Sequence, residues 1–174
     1  MAVAFTMVTT LQNEFNARLN MNALGFSIAF SSLMIGRLFL QIPLGRLSDR
    51  IGRKPVILAG LILLTPATAL LGEVTTMFQL TLLRIVQGIA AAMIAAPAFA
   101  VAADLSKTGG EGRQMSFITM GFGLGMAVGP LLAGLLAVVF FELVFWAGGF
   151  LCLVGALAVY KYLTETVEKG KHIV

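Results

Sequence analysis

Long apolar runs separated by short polar ones divide this chain into elements. Residues 23–45, 55–72, 76–103, 114–138 and 140–162 form five such runs. A helix that crosses a bilayer needs roughly 17–25 residues, and each run reaches that length. Helix is the expected form, because an open sheet edge or a bare loop in hydrocarbon leaves backbone groups without partners. Pro66 and Pro97 are expected to loosen their helices locally without ending the spans. Residues 1–11, MAVAFTMVTTL, are apolar but shorter than a span, and no basic stretch precedes them as in a signal peptide. They read as the outer end of a first span whose beginning is missing, followed by the polar stretch QNEFNARLNMN.

Composition identifies the solvent. A soluble domain is roughly 45–50% apolar and about 25% charged, whereas this chain is 59% hydrophobic and 11% charged, with a mean hydropathy of +0.95. Most of its surface must therefore face a lipid bilayer. At 174 residues it accommodates about six crossings with short connections. The expected architecture is all-α: a polytopic membrane bundle of about six helices, the first truncated. Residues 1–164 are expected to form the six-helix transmembrane unit and 165–174 the start of a linker or tail. The net charge of +4 does not indicate nucleic acid, because the basic residues lie between apolar segments without alternating aromatic residues. Cys152 is the only cysteine, which excludes an internal disulfide and a thiolate metal cluster and leaves a small apolar filler.

Charge sets the topology. One side receives Arg46, Arg50, Arg53 and Lys54, then Lys107 and Arg113, then Lys161, Lys169 and Lys171; the other receives Arg18 with Glu14, Glu73 and Glu142. By the positive-inside rule the side with nine basic residues is cytoplasmic. The C-terminus is expected there too, in a multi-pass protein of the plasma (cytoplasmic) membrane. That rule accounts for the cations of the stretch GRLSDRIGRKP, but not for Asp49, Gly45 or Gly52. The two glycines suit a tight reversal between helices, and Asp49 suits a helix N-terminus or an arginine as partner.

The stretch Gly45-Arg46-Leu47-Ser48-Asp49-Arg50-Ile51-Gly52-Arg53-Lys54-Pro55 resembles the G-x-L-x-D-R-x-G-R-K signature between the second and third spans of major facilitator superfamily transporters. Leu80-x-x-x-Arg84-x-x-Gln87-Gly88-x-Ala90-Ala91 resembles that family's fourth-span motif. Gly121-x3-Gly125-x3-Gly129-Pro130-x2-Ala133-Gly134 resembles its fifth-span antiporter motif, with Ala133 where glycine is usual. The three motifs fall on the correct elements in the correct order. The resemblance covers the amino-terminal six-span half of the usual twelve. It implies a latch in which Asp49 and the nearby arginines hold two halves together in one transport state. It also gives Arg84 a part in substrate or proton coupling and assigns the fifth span to antiport. Asp104 to Arg113, with Lys107 and Glu111, resembles the family's charged turn between spans four and five; it either pairs with the first loop to close an inner gate or is a solvated turn.

Residues within the spans add chemistry. Arg37 and Arg84 lie inside apolar runs, where each costs about 2.5–3.5 kcal/mol near a helix centre and is expected to face protein or a wet cavity. At 100° per residue, Ser27, Phe30, Met34, Arg37, Gln41 and Gly45 share a sector of roughly 80°. Arg84, Gln87, Gly88, Ala91 and Ala95 form a similar stripe, and small residues there permit close helix approach. Gly121, Gly125, Gly129 and Ala133 recur every four residues, leaving a groove for a neighbouring backbone, and Pro130 adds a bend. The run GFGLG is not a nucleotide loop, having no preceding strand and no following acid at the expected distance.

Every acidic residue lies at a span end or in a loop. Two span arginines without a mid-membrane carboxylate lean toward an anionic or neutral substrate over a cationic drug. His172 lies in the basic tail and reads as exposed, and the nine methionines read as packing filler. Paired carboxylates, metal-ligand spacing and a nucleophile beside a base are all missing, so neither an enzyme nor a cofactor is implied. The expectation is a secondary active transporter working by alternating access between two six-span halves, of the proton-coupled, multidrug-efflux kind. Its partners would be lipid, a small-molecule substrate, protons, and either a missing C-terminal half or a second copy. The alternatives are a transport-incompetent fragment, a small membrane interaction protein, or a homodimeric six-span transporter.

Overall fold

The computed structural model describes residues 1–106 and 111–166, the side chain of Glu111 excepted. Every regular element among them is helical: α1 (Ala2–Thr10), α2 (Gln12–Arg18), α3 (Ala23–Ile51), α4 (Arg53–Ala69, continued by a 3-10 turn at Leu70–Glu73), α5 (Met77–Leu105), α6 (Glu111–Ala137) and α7 (Phe141–Tyr162). Helices α3 to α7 are long and apolar enough to cross a membrane, and they coincide with the five apolar runs. In the place expected for the end of a first span stand two short helices that part at Leu11.

Local signals start these helices where the sequence offers them. The Asn22 side chain accepts from the Gly25 N–H at 2.9 Å and caps α3. Thr76 and Gln79 form a capping box on α5: the Gln79 N–H donates to Thr76 Oγ1 at 3.2 Å, and Gln79 Oε1 accepts from the Thr76 N–H at 3.3 Å. Pro66 and Pro97 lie within helices that continue through them, as do Pro43 and Pro130.

One boundary departs from expectation. The reversal anticipated over Gly45–Gly52 contracts to Gly52 alone, because α3 runs on to Ile51. Gly45 is therefore a helical packing position, where a Cβ would meet Ala96 Cβ of α5 at an ordinary 3.7 Å. Buried Ser48 donates back to the Gly45 carbonyl at 2.7 Å within the same turn. A single residue then reverses the chain: Gly52 has φ +114° and ψ 147°, a conformation open to glycine but strained for other residues.

Helix α5 is the centre of the bundle. It packs along α3 on one side and α4 on the other; α7 covers α4, and α1 lies against α6 and α7. Gly88 brings α5 so close to α3 that an added Cβ would overlap the Leu33 carbonyl and lie 3.1 Å from the Arg37 nitrogen. The ends of α3, α5 and α7 gather with the starts of α4 and α6 at a basic end. At the opposite end α2 forms a plug: Phe15 is 1% exposed and packs its ring against Phe26, Phe141 and Phe145 at centroid distances of 5.1–6.4 Å. Arg18 stacks over Phe141 at 3.9 Å and pairs with Glu142 at 2.5 Å, tying α2 to α7 there.

Candidate functional site

Arg84 is enclosed at the middle of the bundle, 1% exposed. Its Nη1 donates to Gln87 Oε1 at 2.9 Å, and Gln87 Nε2 donates in turn to Thr68 Oγ1 of α4 at 3.1 Å. The guanidinium also sits 5.7 Å from the Phe5 ring and 5.4 Å from the Phe30 ring, close enough for cation–π attraction from α1 and α3. Its Nη2 is buried with no hydrogen-bond partner among the described residues. A charge held this way keeps part of its hydrogen-bonding capacity open.

Two adjoining cavities, of about 240 and 310 Å³, lie next to this network. The first is walled by Phe5, Leu33, Met34, Leu64, Phe122 and Met126, with Gln87 presenting the Arg84 network to it. The second runs toward the basic end past Ala95, Ala98, Phe99, Ile118 and Gly121. Arg37 lines both. The α3 sector is thus divided by the structure: Met34 and Arg37 reach the cavity, Gln41 and Gly45 are half-buried, and Ser27 is exposed with its hydroxyl donated to the Ala23 carbonyl at 2.8 Å. On α5 the stripe is buried throughout, at Arg84, Gln87, Gly88, Ala91 and Ala95.

At the basic end, Arg53 joins several elements. Its guanidinium pairs with Asp104 of α5, donates to the Ala100 carbonyl at 2.6 Å, and lies 3.5 Å from Asp49 of α3. The first loop and the fourth-span end are therefore paired through Arg53 and Asp104. Asp49 keeps a side chain 60% exposed. Arg50 is exposed, and Lys54 lies over the Tyr160 ring at 5.5 Å. Arg113 is exposed and stacks at 5.7 Å on its own helix neighbour Phe117, apart from the clasp. Lys107, the Glu111 side chain, Glu168, Lys169, Lys171 and His172 lie outside the described residues.

The α6 groove is occupied by α1. A Cβ on Gly125 would lie 2.8 Å from Ala2, one on Gly129 would overlap the Thr6 hydroxyl, and Ala133 is fully buried. Pro130 is half-buried beside this contact. Gly121 and Gly134 have nothing within 4 Å of an added Cβ and take no part in it. Among the described residues no group of three or more His, Cys, Asp or Glu side chains is placed to hold a metal ion.

Thr68, Phe5 and Glu165 escape the sequence reading, which gives of Phe30 only its place in the α3 sector. Thr68 completes the Arg84–Gln87 relay although it looks like an ordinary span residue. Phe5 and Phe30 flank the guanidinium from two other helices. Glu165 follows α7 and accepts from the Arg53 N–H at 2.9 Å and the Lys54 N–H at 3.1 Å, capping α4 from a distant part of the chain. The uncapped start of α4 at Gly52 is the local signal that some acceptor must come from elsewhere.

A helical membrane bundle with a buried arginine beside a central cavity and a charged clasp at one end is the class of protein these features define. The chain belongs to the Major Facilitator Superfamily, whose family model matches residues 1–173. It is 33% identical over 130 residues to the tetracycline resistance protein, class H, of Pasteurella multocida, covering 75% of this chain and 32% of that protein. It is 30% identical over 167 residues to multidrug resistance protein MdtM of Salmonella typhimurium, covering 94% of this chain and 39% of that protein. In fold it resembles a bacterial homolog of the human lysosomal transporter Spinster in an inward-facing, occupied conformation. The TM-score is 0.83 at 16% identity, over 95% of this chain and 42% of that one. The chain spans less than half the length of each of these proteins, and the all-helical half bundle expected from the sequence is the fold found.

Proposed function

We propose that the chain forms one half of a secondary active transporter that exports a small molecule in exchange for protons by alternating access. The observation that carries this reading is Arg84, a charge buried at 1% exposure beside a cavity and linked to it through Gln87. Such a residue inside a span is costly and marks a substrate or ion pathway. In this reading the Arg53 clasp, with Asp49 at its edge, is the gate that opens and closes the cytoplasmic side; Asp104 is its partner, and Arg113 flanks it. The α1–α6 contact over Gly125 and Gly129 is the tight, bent seal of the antiport motif. The basic end and the C-terminus face the cytoplasm in the plasma membrane, in keeping with the positive-inside bias. No chemical transformation is assigned to the site.

The wall opposite α3 and α6 comes from a further six-span half or from a second copy of this chain. These two helices bury only 22% and 11% of their most apolar windows, against 50% for α4 and α5. Reconstitution into proteoliposomes under an imposed pH gradient tests the reading, with tetracycline and anilinonaphthalene sulfonate as test compounds. Compound-dependent proton release by the assembled protein, lost in Arg84→Leu, is expected. An assembly that binds these compounds yet moves neither compound nor protons sinks it. Light scattering in detergent identifies the second wall: a dimer indicates a second copy, and a monomer a separate half.

A further inference from the structure

We infer that the central cavity binds small lipophilic organic anions, with Arg37 as the residue that selects their charge. The inference rests on the reading of that cavity as the transport path and names its substrate class. Among the described residues, Arg37 is the only charged side chain in the lining of either cavity, and it stands where the two adjoin. Among the described residues, no hydrogen bond or ion pair engages its guanidinium, in contrast to Arg84, which donates to Gln87, and to Arg53 and Arg18. Arg53 is committed to Asp104 and the Ala100 carbonyl, and Arg18 to Glu142.

Among the described residues the carboxylates are equally committed or remote, Glu14 and Glu73 being exposed at the end opposite the basic one. Asp104 and Glu142 are in those pairs, Glu165 caps α4, and Asp49 lies beside Arg53 at the basic end. The cavity therefore carries positive charge on its surface from Arg37, and more from Arg84 one side chain behind Gln87. In a low-dielectric interior, charges interact more strongly than in water. A bound anion offsets the cost of a span arginine, and a bound cation adds to it. The remaining lining supplies the lipophilic body's partners: Phe5 and Phe122 offer flat faces, and Met34 and Met126 are flexible, polarizable side chains that adapt to different shapes. The ligand expected is an aromatic body with one sulfonate or carboxylate, its charged end at Arg37 and its rings toward Phe122.

The test uses the protein in nanodiscs of zwitterionic lipid, with binding to empty nanodiscs subtracted. Three fluorescent probes of similar size are compared: anilinonaphthalene sulfonate, its uncharged relative phenylnaphthylamine, and the cation ethidium. The sulfonate is expected to bind most tightly. In Arg37→Gln its affinity falls roughly tenfold, as loss of a charged hydrogen bond implies, and phenylnaphthylamine binding stays unchanged, which shows that the cavity is intact. Arg37→Lys keeps most of the preference. Binding of phenylnaphthylamine or ethidium as tightly as the sulfonate, or a loss of the sulfonate and phenylnaphthylamine together in Arg37→Gln, overturns the charge selection while the cavity stands. Failure of all three probes to bind overturns both this inference and the transport path on which it rests.

Discussion

Arg84 and Gln87, one turn apart on α5, form a buried donor–acceptor pair in which Nη1 donates to Oε1 over 2.9 Å. Because Gln87 passes the connection to Thr68, breaking it orphans groups on two helices. Gln87→Leu is expected to destabilise the bundle by about 3 kcal/mol, the scale for removing one partner from a buried charge. Arg84→Met combined with Gln87→Leu should recover most of that loss, since replacing both polar partners removes the unsatisfied groups. A double-mutant cycle read by chemical unfolding in detergent checks this; purely additive effects would show that the pair is not a unit.

Asp49 and Asp104 share Arg53 unequally. Asp104 is 26% exposed and joined directly to the guanidinium, whereas Asp49 is 60% exposed at 3.5 Å. Asp49→Asn should therefore change stability by less than about 1 kcal/mol, as exposed ion pairs do. It should nevertheless slow transport and shift the inward/outward balance if it serves the latch. Asp104→Asn should cost more in stability than Asp49→Asn. Thermal unfolding and a proteoliposome flux assay on the same two variants separate the roles; wild-type flux in Asp49→Asn would remove the latch.

Gly52 and Glu165 fit together at the start of α4. An alanine at position 52 meets both a φ of +114° and a Cβ only 2.6 Å from Glu165 Oε2. Gly52→Ala is expected to cost about 1–3 kcal/mol for the strained backbone. Glu165→Ala should cost about 0.5–2 kcal/mol, as lost helix caps do. Hydrogen exchange at the Arg53 and Lys54 amides should accelerate in Glu165→Ala, and unchanged protection there would contradict the capping role.

The glycines of the family motifs divide into packed and open positions. Gly88→Ala should destabilise by about 1–3 kcal/mol, the usual cost of overpacking, because its Cβ would overlap the Leu33 carbonyl. Gly129→Ala should do likewise against α1. Gly121→Ala and Gly134→Ala meet nothing within 4 Å and should stay within about 0.5 kcal/mol of the parent. Unfolding midpoints of the four variants decide the matter, and equal losses at all four would refute the division.

Much of the candidate site was legible because each motif is local. Arg84, Gln87 and Gly88 lie within one turn and a half of α5, so helical periodicity alone puts them on one face. Asp49 and Arg53 were visible as a charge cluster, but the loop drawn around them was too long. Gly45 looks like a turn glycine in isolation, and only its place against Ala96 shows it to be a packing position. Gly121 and Gly134 could not be told apart from Gly125 and Gly129, since spacing shows that a groove exists without showing which part a neighbour fills.

The sequence by itself determined the solvent, the five long spans, their alternation and the charge asymmetry between the two ends. These follow from length and composition, which a bilayer imposes on each segment separately. Only the tertiary structure decided that α1 fills the α6 groove, that Phe5 and Phe30 flank Arg84, and that Arg37 stands between two cavities. It also paired Arg53 with Asp104, 51 positions away, and with Glu165, 112 positions away. A helical repeat states which face a residue occupies; which helix lies across from that face depends on how the helices pack against one another.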